Sequence, residues 1–333
     1  MGAKMLVLVT GANGFLGKAF LDTCSLDSRL RLRGAVRSGG SDMRAEVERV
    51  VVGDLAADTN WRDALKDVHV VVHTAARVHV MYEAAANPLG EFRRVNVDGT
   101  LSLARQAAAA GVRRFVFVSS IKVNGEHTLP GHPFSSDAVV APFEPYGLSK
   151  HEAESGLRQL ALDTGMEVVI VRPVLVYGPG VKGNFLSMMR RLHQGFPMPF
   201  GAIDNRRSLV ALDNLTDLLA TCLQHPSAAN EVFLVSDGED ISTAELLRRT
   251  AAALGTRARL VDIPPRLLRG AMRLVGKSDV ASRLCSSLQV EIGKTQQLLG
   301  WAPPVSLDEG LQRAARWFLA SRSSLHGRAP FDR

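Results

Sequence analysis

A tyrosine and a lysine four residues apart, in Tyr146-Gly147-Leu148-Ser149-Lys150, lie on one face of a helix and one turn apart. A phenol titrates near pH ~10 in water, and a fixed positive charge beside it stabilises the phenolate and draws that value toward the range useful for proton transfer. Such a tyrosine can give a proton to a carbinol oxygen or take one from it. Helices produce this spacing by chance, and a tyrosine packed under a solvated lysine is the plain alternative. The surrounding elements must decide.

Those elements begin at the amino terminus. Lys4-Met-Leu-Val-Leu-Val-Thr10 is a short apolar run of the kind that forms a buried parallel strand. Gly11-Ala12-Asn13-Gly14-Phe15-Leu16-Gly17 follows, and then a helical stretch from Lys18 to Cys24. Strand, G-x-x-G-x-x-G and helix in that order predict a dinucleotide site. The glycines allow a tight turn and a close backbone approach, and the helix N-terminus faces the pyrophosphate. Further strands are expected at Arg31–Arg37, Val50–Leu55 and Val68–Ala76, then at Arg114–Ser120, which ends in two hydroxyls. Asn96-Val-Asp-Gly-Thr100 opens an Ala- and Leu-rich helix. This alternation predicts an α/β, Rossmann-type doubly wound parallel sheet with its ligand beyond the carboxyl ends of the strands. The last of these strands delivers Ser120 to the edge where the Tyr146 helix begins.

Composition narrows the function classes. The chain has 333 residues, 46% of them hydrophobic and 22% charged, which is ordinary for a globular protein. Its net charge of +7 is scattered among acids rather than gathered into a basic arm, so a small polyanion such as a nucleotide is favoured over nucleic acid. Cys24, Cys222 and Cys285 are too far apart for a disulfide framework or a metal cluster, and a reducing cytoplasm suits them. No metal is expected. Neither an export leader nor an apolar run of about 18 residues is evident, so no membrane span is expected.

The glycine spacing resembles that of the extended short-chain dehydrogenase/reductases. The resemblance continues through His73-Thr-Ala75-Ala76, Tyr146/Lys150, Arg172-Pro-Val-Leu-Val-Tyr177-Gly-Pro179 and Lys294 to Pro304, nearly the whole chain. It implies a cofactor held by Gly11, Asn13, Gly14, Phe15, Leu16, Gly17, Arg37, Asp54, Leu55, Ala75, Ala76, Tyr146 and Lys150. It also implies a catalytic set of Ser120, Tyr146 and Lys150. Ser119 is the near rival of Ser120, and alignment on Val123-Asn124-Gly125 favours the second serine. The substrate would be a nucleotide sugar, held by Asn184, Phe185, Arg206 and Arg283. A homodimer packed through a four-helix bundle is implied as well. Residues 1–178, with 206–237 returning, are expected to form the dinucleotide domain. Residues 179–205 and 238–321 form a smaller, discontinuous α/β substrate lobe, and 322–333 a tail.

Departures from the family pattern sharpen the activity. Nucleotide-sugar 4,6-dehydratases carry Asp-Glu directly after the hydroxyl residue, for acid and base work across carbons 5 and 6; Ile121-Lys122 stands here, which argues against dehydration. Arg37 ends the second strand where many NAD-binding relatives have an acid, and a guanidinium there suits a 2′-phosphate; NADP is therefore favoured, with NAD possible. Leu175 replaces an asparagine of the family's substrate pose. Ala76–Met81 and Ser120–Glu126 resemble bacterial surface-polysaccharide enzymes that form UDP-N-acetylquinovosamine. The favoured expectation is thus a 4-ketoreductase of a UDP-4-keto-6-deoxy-hexose. A UDP-hexose 4-epimerase with tightly bound NAD is the alternative, and a non-catalytic NAD(P)-binding regulator is the alternative of another class.

Overall fold

A computed structural model describes residues 4–39, 43–78, 87–129, 131–274 and 284–326. His79, Met81 and Arg283 lie outside the described residues. Seven strands form the main sheet: β1 (Met5–Thr10), β2 (Leu30–Val36), β3 (Val47–Val51), β4 (Val70–His73), β5 (Arg114–Val118), β6 (Glu167–Pro173) and, later in the chain, β9 (Val232–Val235). Their order is β3-β2-β1-β4-β5-β6-β9, and every pairing is parallel. Leu6 and Leu8 face one core layer and Val7 and Val9 the other, all essentially inaccessible. Burial on both faces is why β1 reads as an unbroken apolar run.

Helix α1 (Phe15–Cys24) follows β1, and a short helix α2 (Arg62–Leu65) precedes β4. The third strand ends four residues before its expected limit. Gly53 takes φ +77° and turns the chain, so Asp54 and Leu55 sit in the following loop. The helix expected to open at Asn96 opens earlier, as α3 (Pro88–Phe92). Asn87 caps it by accepting from the Gly90 amide at 3.0 Å, and Pro88 occupies the first turn, where its missing N–H costs nothing. The chain then passes through a π-helical turn, Arg93–Gly99, into α4 (Thr100–Ala109). Helix α5 (Pro145–Thr164) starts at another proline and ends on Gly165 in the left-handed region.

A second, three-stranded sheet joins β7 (Leu175–Tyr177) in parallel to β8 (Arg207–Ala211), with β10 (Asp240–Ile241) antiparallel on its other edge. The expected limits of the two units therefore shift. Both β7, counted with the first unit, and β8, expected to return to it, lie in the small sheet; only β9 rejoins the large one. A three- to five-residue apolar run does not declare which sheet it will join. Helices α6 (Gly183–His193) and α7 (Thr243–Ala253) and the C-terminal helix Leu307–His326 bury Phe185, Met189, Leu247, Leu311 and Phe318 against this sheet. That last helix runs past Ser321, and the Arg322 guanidinium lies 5.8 Å from the Phe318 ring, so residues 322–326 are helix rather than tail.

The turn after β1 is built by exclusion of side chains. Gly11 has φ +64°, and a Cβ there would meet the Ala75 amide nitrogen at 2.9 Å. A Cβ on Gly17 would overlap the Gly11 carbonyl oxygen. In an open helix, Gly→Ala gains about 0.5–1 kcal/mol; overlap with fixed backbone reverses the sign. Gly17→Ala is expected to lose about 1–3 kcal/mol in urea unfolding, whereas Gly39→Ala, with open space around it, stays within about 0.5 kcal/mol of wild type.

Candidate active site

The glycine turn, the ends of β4 and β5 and the start of α5 meet at the carboxyl edge of the large sheet. Gly14 is the N-cap of α1 and no side chain caps the helix, leaving its first-turn N–H groups to an anion. Asn13 and Gly14 are exposed, while Phe15 and Leu16 are half-buried. Phe15 packs against the core of the small lobe, and Gly180 is close enough that a Cβ on it would touch the Phe15 ring at 3.5 Å. Ala75 borders the same turn, its amide donating to Thr10 Oγ1 at 3.3 Å, and Ala76 follows it in the chain. Leu55 lodges against Gly99 of the π turn. An uncapped helix start over a side-chain-free turn fits a dinucleotide's pyrophosphate.

Arg37 and Asp54 meet one another. The guanidinium lies 3.7 Å from the carboxylate, and both side chains are more than three-quarters exposed. A carboxylate this close opposes a second anion beside Arg37.

The two serines after β5 have different partners. Ser119 is buried and its hydroxyl donates to Glu154 Oε1 at 2.6 Å. Ser120 is half-buried, caps the 3₁₀ turn Ile121–Val123 by accepting from the Lys122 amide at 3.2 Å, and lies beside the Tyr146 phenol. Ser120 is thus the serine that faces the phenol. Burial pushes Tyr146 up to about 12, against the opposing hydrogen bond from Ser120. Lys150 is buried one turn further on; burial pulls it down to about 7, with the Glu154 carboxylate acting the other way. Its ammonium donates to the Val118 carbonyl at 2.8 Å and sits 4.3 Å from the Phe117 ring centre. The expected lowering of the phenol by the ammonium is therefore outweighed in this arrangement: desolvation dominates, and the ammonium is spent on Val118. Ile121 is buried, and Lys122 donates to Glu126 at 2.9 Å and to Glu144.

Two site residues had no assigned role in the sequence. Asn96, in the π turn, accepts from the Arg77 amide at 2.8 Å and donates to the Arg77 carbonyl at 3.0 Å and to Ser149 Oγ at 3.1 Å, tying the segment after β4 to α5. Its place in an Asn-x-x-Gly-Thr stretch was visible; the π geometry, common at functional sites, was not. Glu154 continues the four-residue spacing of Tyr146 and Lys150, and that spacing was the available signal. His73 is fully buried between the hydroxyls of Thr10 at 2.7 Å and Thr100 at 3.0 Å, and desolvation, then the Lys150 charge, lowers it to about 3.

The expected substrate residues divide. Asn184 is exposed in the first turn of α6. Phe185 beside it is buried and stacked on Tyr177 at 5.5 Å, so its ring belongs to the lobe's core rather than to a ligand surface. Arg206 is exposed just before β8, its backbone fixed by Ser287 Oγ and the Leu288 amide. Among the described residues no three His, Cys, Asp or Glu side chains gather as metal ligands, and no helix is long and apolar enough to cross a membrane.

A hydroxyl, a phenol and an ammonium on adjoining elements share the sheet edge with an uncapped glycine turn, the arrangement expected of the extended short-chain dehydrogenase/reductases. Within that class the chain belongs to the NAD dependent epimerase/dehydratase family, whose model matches residues 7–236. A UDP-glucose 4-epimerase of Vibrio cholerae is 48% identical over 318 residues, covering 95% of this chain and 96% of the relative. An N-acetyl-α-D-glucosaminyl-diphospho-ditrans,octacis-undecaprenol 4-epimerase of Escherichia coli O157:H7 is 25% identical, covering 93% of this chain and 94% of the relative. The structure of MoeE5 with UDP-glucose and NAD superposes with a TM-score of 0.75 at 26% identity, over 97% of this chain and all of that one.

His73 makes stability depend on acid. Its folded pKa lies below its unfolded value near 6.5, so the unfolded chain binds more protons between pH 6.5 and 3, and stability falls as pH drops through that window. At pH 5 this amounts to about 2 kcal/mol. Chemical unfolding at pH 7 and pH 5 is expected to show that loss in wild type and a smaller one in His73→Gln.

Proposed function

We propose that this protein is an NAD-dependent nucleotide-sugar 4-epimerase. The closeness of Ser120 to the Tyr146 phenol, with Lys150 one turn further along α5, supports the reading: a proton-transfer group lies on the sheet edge that also carries the glycine turn. The near full-length similarity to a UDP-glucose 4-epimerase supports the choice of reaction.

When bound at the glycine turn, NAD supplies the acceptor and donor of hydride for carbon 4. Tyr146 takes the proton of the carbon-4 hydroxyl as the alcohol is oxidised and gives it back to the carbonyl oxygen on reduction. Ser120 steadies that oxygen as it changes charge, and Lys150 is the cation able to favour the phenolate once the sugar is bound. The pairing of Lys122 with Glu126 and Glu144, and the burial of Ile121, speak against elimination across carbons 5 and 6. Exposed Asn184 and Arg206 are the groups on the small lobe for the nucleotide, with only the backbone of Phe185 available.

Net ketoreduction with NADPH is the second reading, and Arg37 is the residue that favours it. Its ion pair with Asp54 weakens it as a phosphate site, which is why NAD is preferred here. Protein as purified is expected to release NAD on denaturation and to interconvert UDP-glucose and UDP-galactose, or their N-acetylated forms, with no added reductant. Empty protein that consumes NADPH only with a 4-keto sugar nucleotide would establish the reductase instead. Tyr146→Phe should retain the cofactor and lose about 10²–10⁴-fold in kcat; near-normal turnover would remove Tyr146 from the mechanism.

A further inference from the structure

Tyr146, Lys150 and Glu154 follow one another at four-residue steps along α5, and the first two are accounted for. Glu154 is completely inaccessible to solvent, yet four donors from three elements converge on it. Ser119 Oγ, past the end of β5, donates to Oε1 at 2.6 Å; Arg172 of β6 donates through Nε at 2.8 Å and Nη2 at 2.5 Å; and Arg158 of α5 donates at 3.1 Å. The remaining reach of Arg172 is spent nearby: Nη1 donates to Asn124 Oδ1 at 3.0 Å.

Ser119 and Asn124 flank the 3₁₀ turn that Ser120 caps. One end of that turn is held by the Glu154 carboxylate directly and the other through Arg172. The helix that carries the carboxylate also carries Tyr146. The Ser120–Tyr146 distance is thus set by a clamp whose fixed point lies two turns along α5.

The same carboxylate is the negative charge that favours the protonated form of Lys150. The other groups about that ammonium do not replace it. His73 from β4 is neutral, Tyr146 from α5 is a protonated phenol, and β5 brings only the Phe117 ring and the Val118 carbonyl. On the far side of Glu154, Arg172 and Arg158 are cations, and without the carboxylate they would oppose a charge on Lys150.

We propose that Glu154 is the positioning residue of this site: its carboxylate clamps the turn that presents Ser120 to Tyr146, and it sets a negative charge one helical turn beyond Lys150 on the same face of α5. The proposal rests on the assignment of Ser120, Tyr146 and Lys150 as the catalytic group, and its test separates the two ideas. Protein as purified, labelled with carbon-13 at the lysine ε-carbons, is titrated by NMR, with Lys150→Met assigning the resonance. Glu154→Gln is expected to lower the Lys150 midpoint by about one pH unit, a ten-fold loss of proton affinity. A folded Glu154→Gln with an unchanged midpoint would overturn the proton-holding role, because a merely structural residue would change the melting temperature alone.

Glu154→Asp keeps the charge but draws the carboxylate back from Ser119, and it serves if the glutamine variant does not fold. Its Lys150 midpoint should stay at the wild-type value while kcat falls on the order of ten- to a hundred-fold at unchanged KM. Ser119→Ala should do the same, and full turnover in both would overturn the clamp. Wild-type protein that turns over no sugar nucleotide would refute the epimerase assignment, and the NMR midpoint would still judge Glu154.

Discussion

A buried carboxylate stays charged only if donors surround it, and the Glu154–Arg172 pair is the interaction on which the rest of this site depends. Removing one partner of such a pair costs about 3–5 kcal/mol, because the other is left charged in a poor solvent. The pair joins the middle of α5 to β6, and its side branches reach the end of β5 through Ser119 and the following turn through Asn124. Helix α5 therefore has one register over the sheet edge. Once that register is set, the helical period places Lys150 under the Val118 carbonyl and Tyr146 against Ser120 with no further adjustment.

A second, half-buried carboxylate does comparable work between the sheets. Asp237, just beyond β9, accepts from the Ala211 amide at 2.7 Å, from Asn214 Nδ2 at 2.7 Å and from the Tyr177 hydroxyl at 2.8 Å. The ends of β7, β8 and β9 are thereby drawn to one point, and Asn214 extends the link to the Val305 carbonyl. The small lobe is anchored to the strand ends of the large sheet at the residues immediately before Gly178 and Gly180, close to Phe15.

Much of this was legible in the residues. The glycine turn, the parallel strands and the Ser120/Tyr146/Lys150 set all rest on local patterns with short physical explanations, and each is found at the expected edge. What was not legible depends on contacts distant in sequence. Nothing near Ser119 shows that its hydroxyl goes to a residue 35 positions away, and nothing near Arg37 shows that Asp54 turns back toward it. The same holds for β8, whose pairing with β7 across the intervening α6 is a tertiary outcome. Phe185 is a related case, since an aromatic beside an exposed asparagine can face either a ligand or a core, and here its ring stacks on Tyr177.

The protonation states bear on the choice between reduction and epimerisation. A reductase needs a donor alone, and a phenol held near 12 is a donor at any physiological pH. An epimerase needs the same group to act as base in one direction and acid in the other, so the phenol's proton affinity must be brought down while the sugar is bound. The group able to do this is Lys150, whose own proton is loosely held and whose ammonium is shared with the Val118 carbonyl. Desolvation alone would empty that ammonium and leave the phenol a permanent acid. The carboxylate of Glu154 works against that outcome.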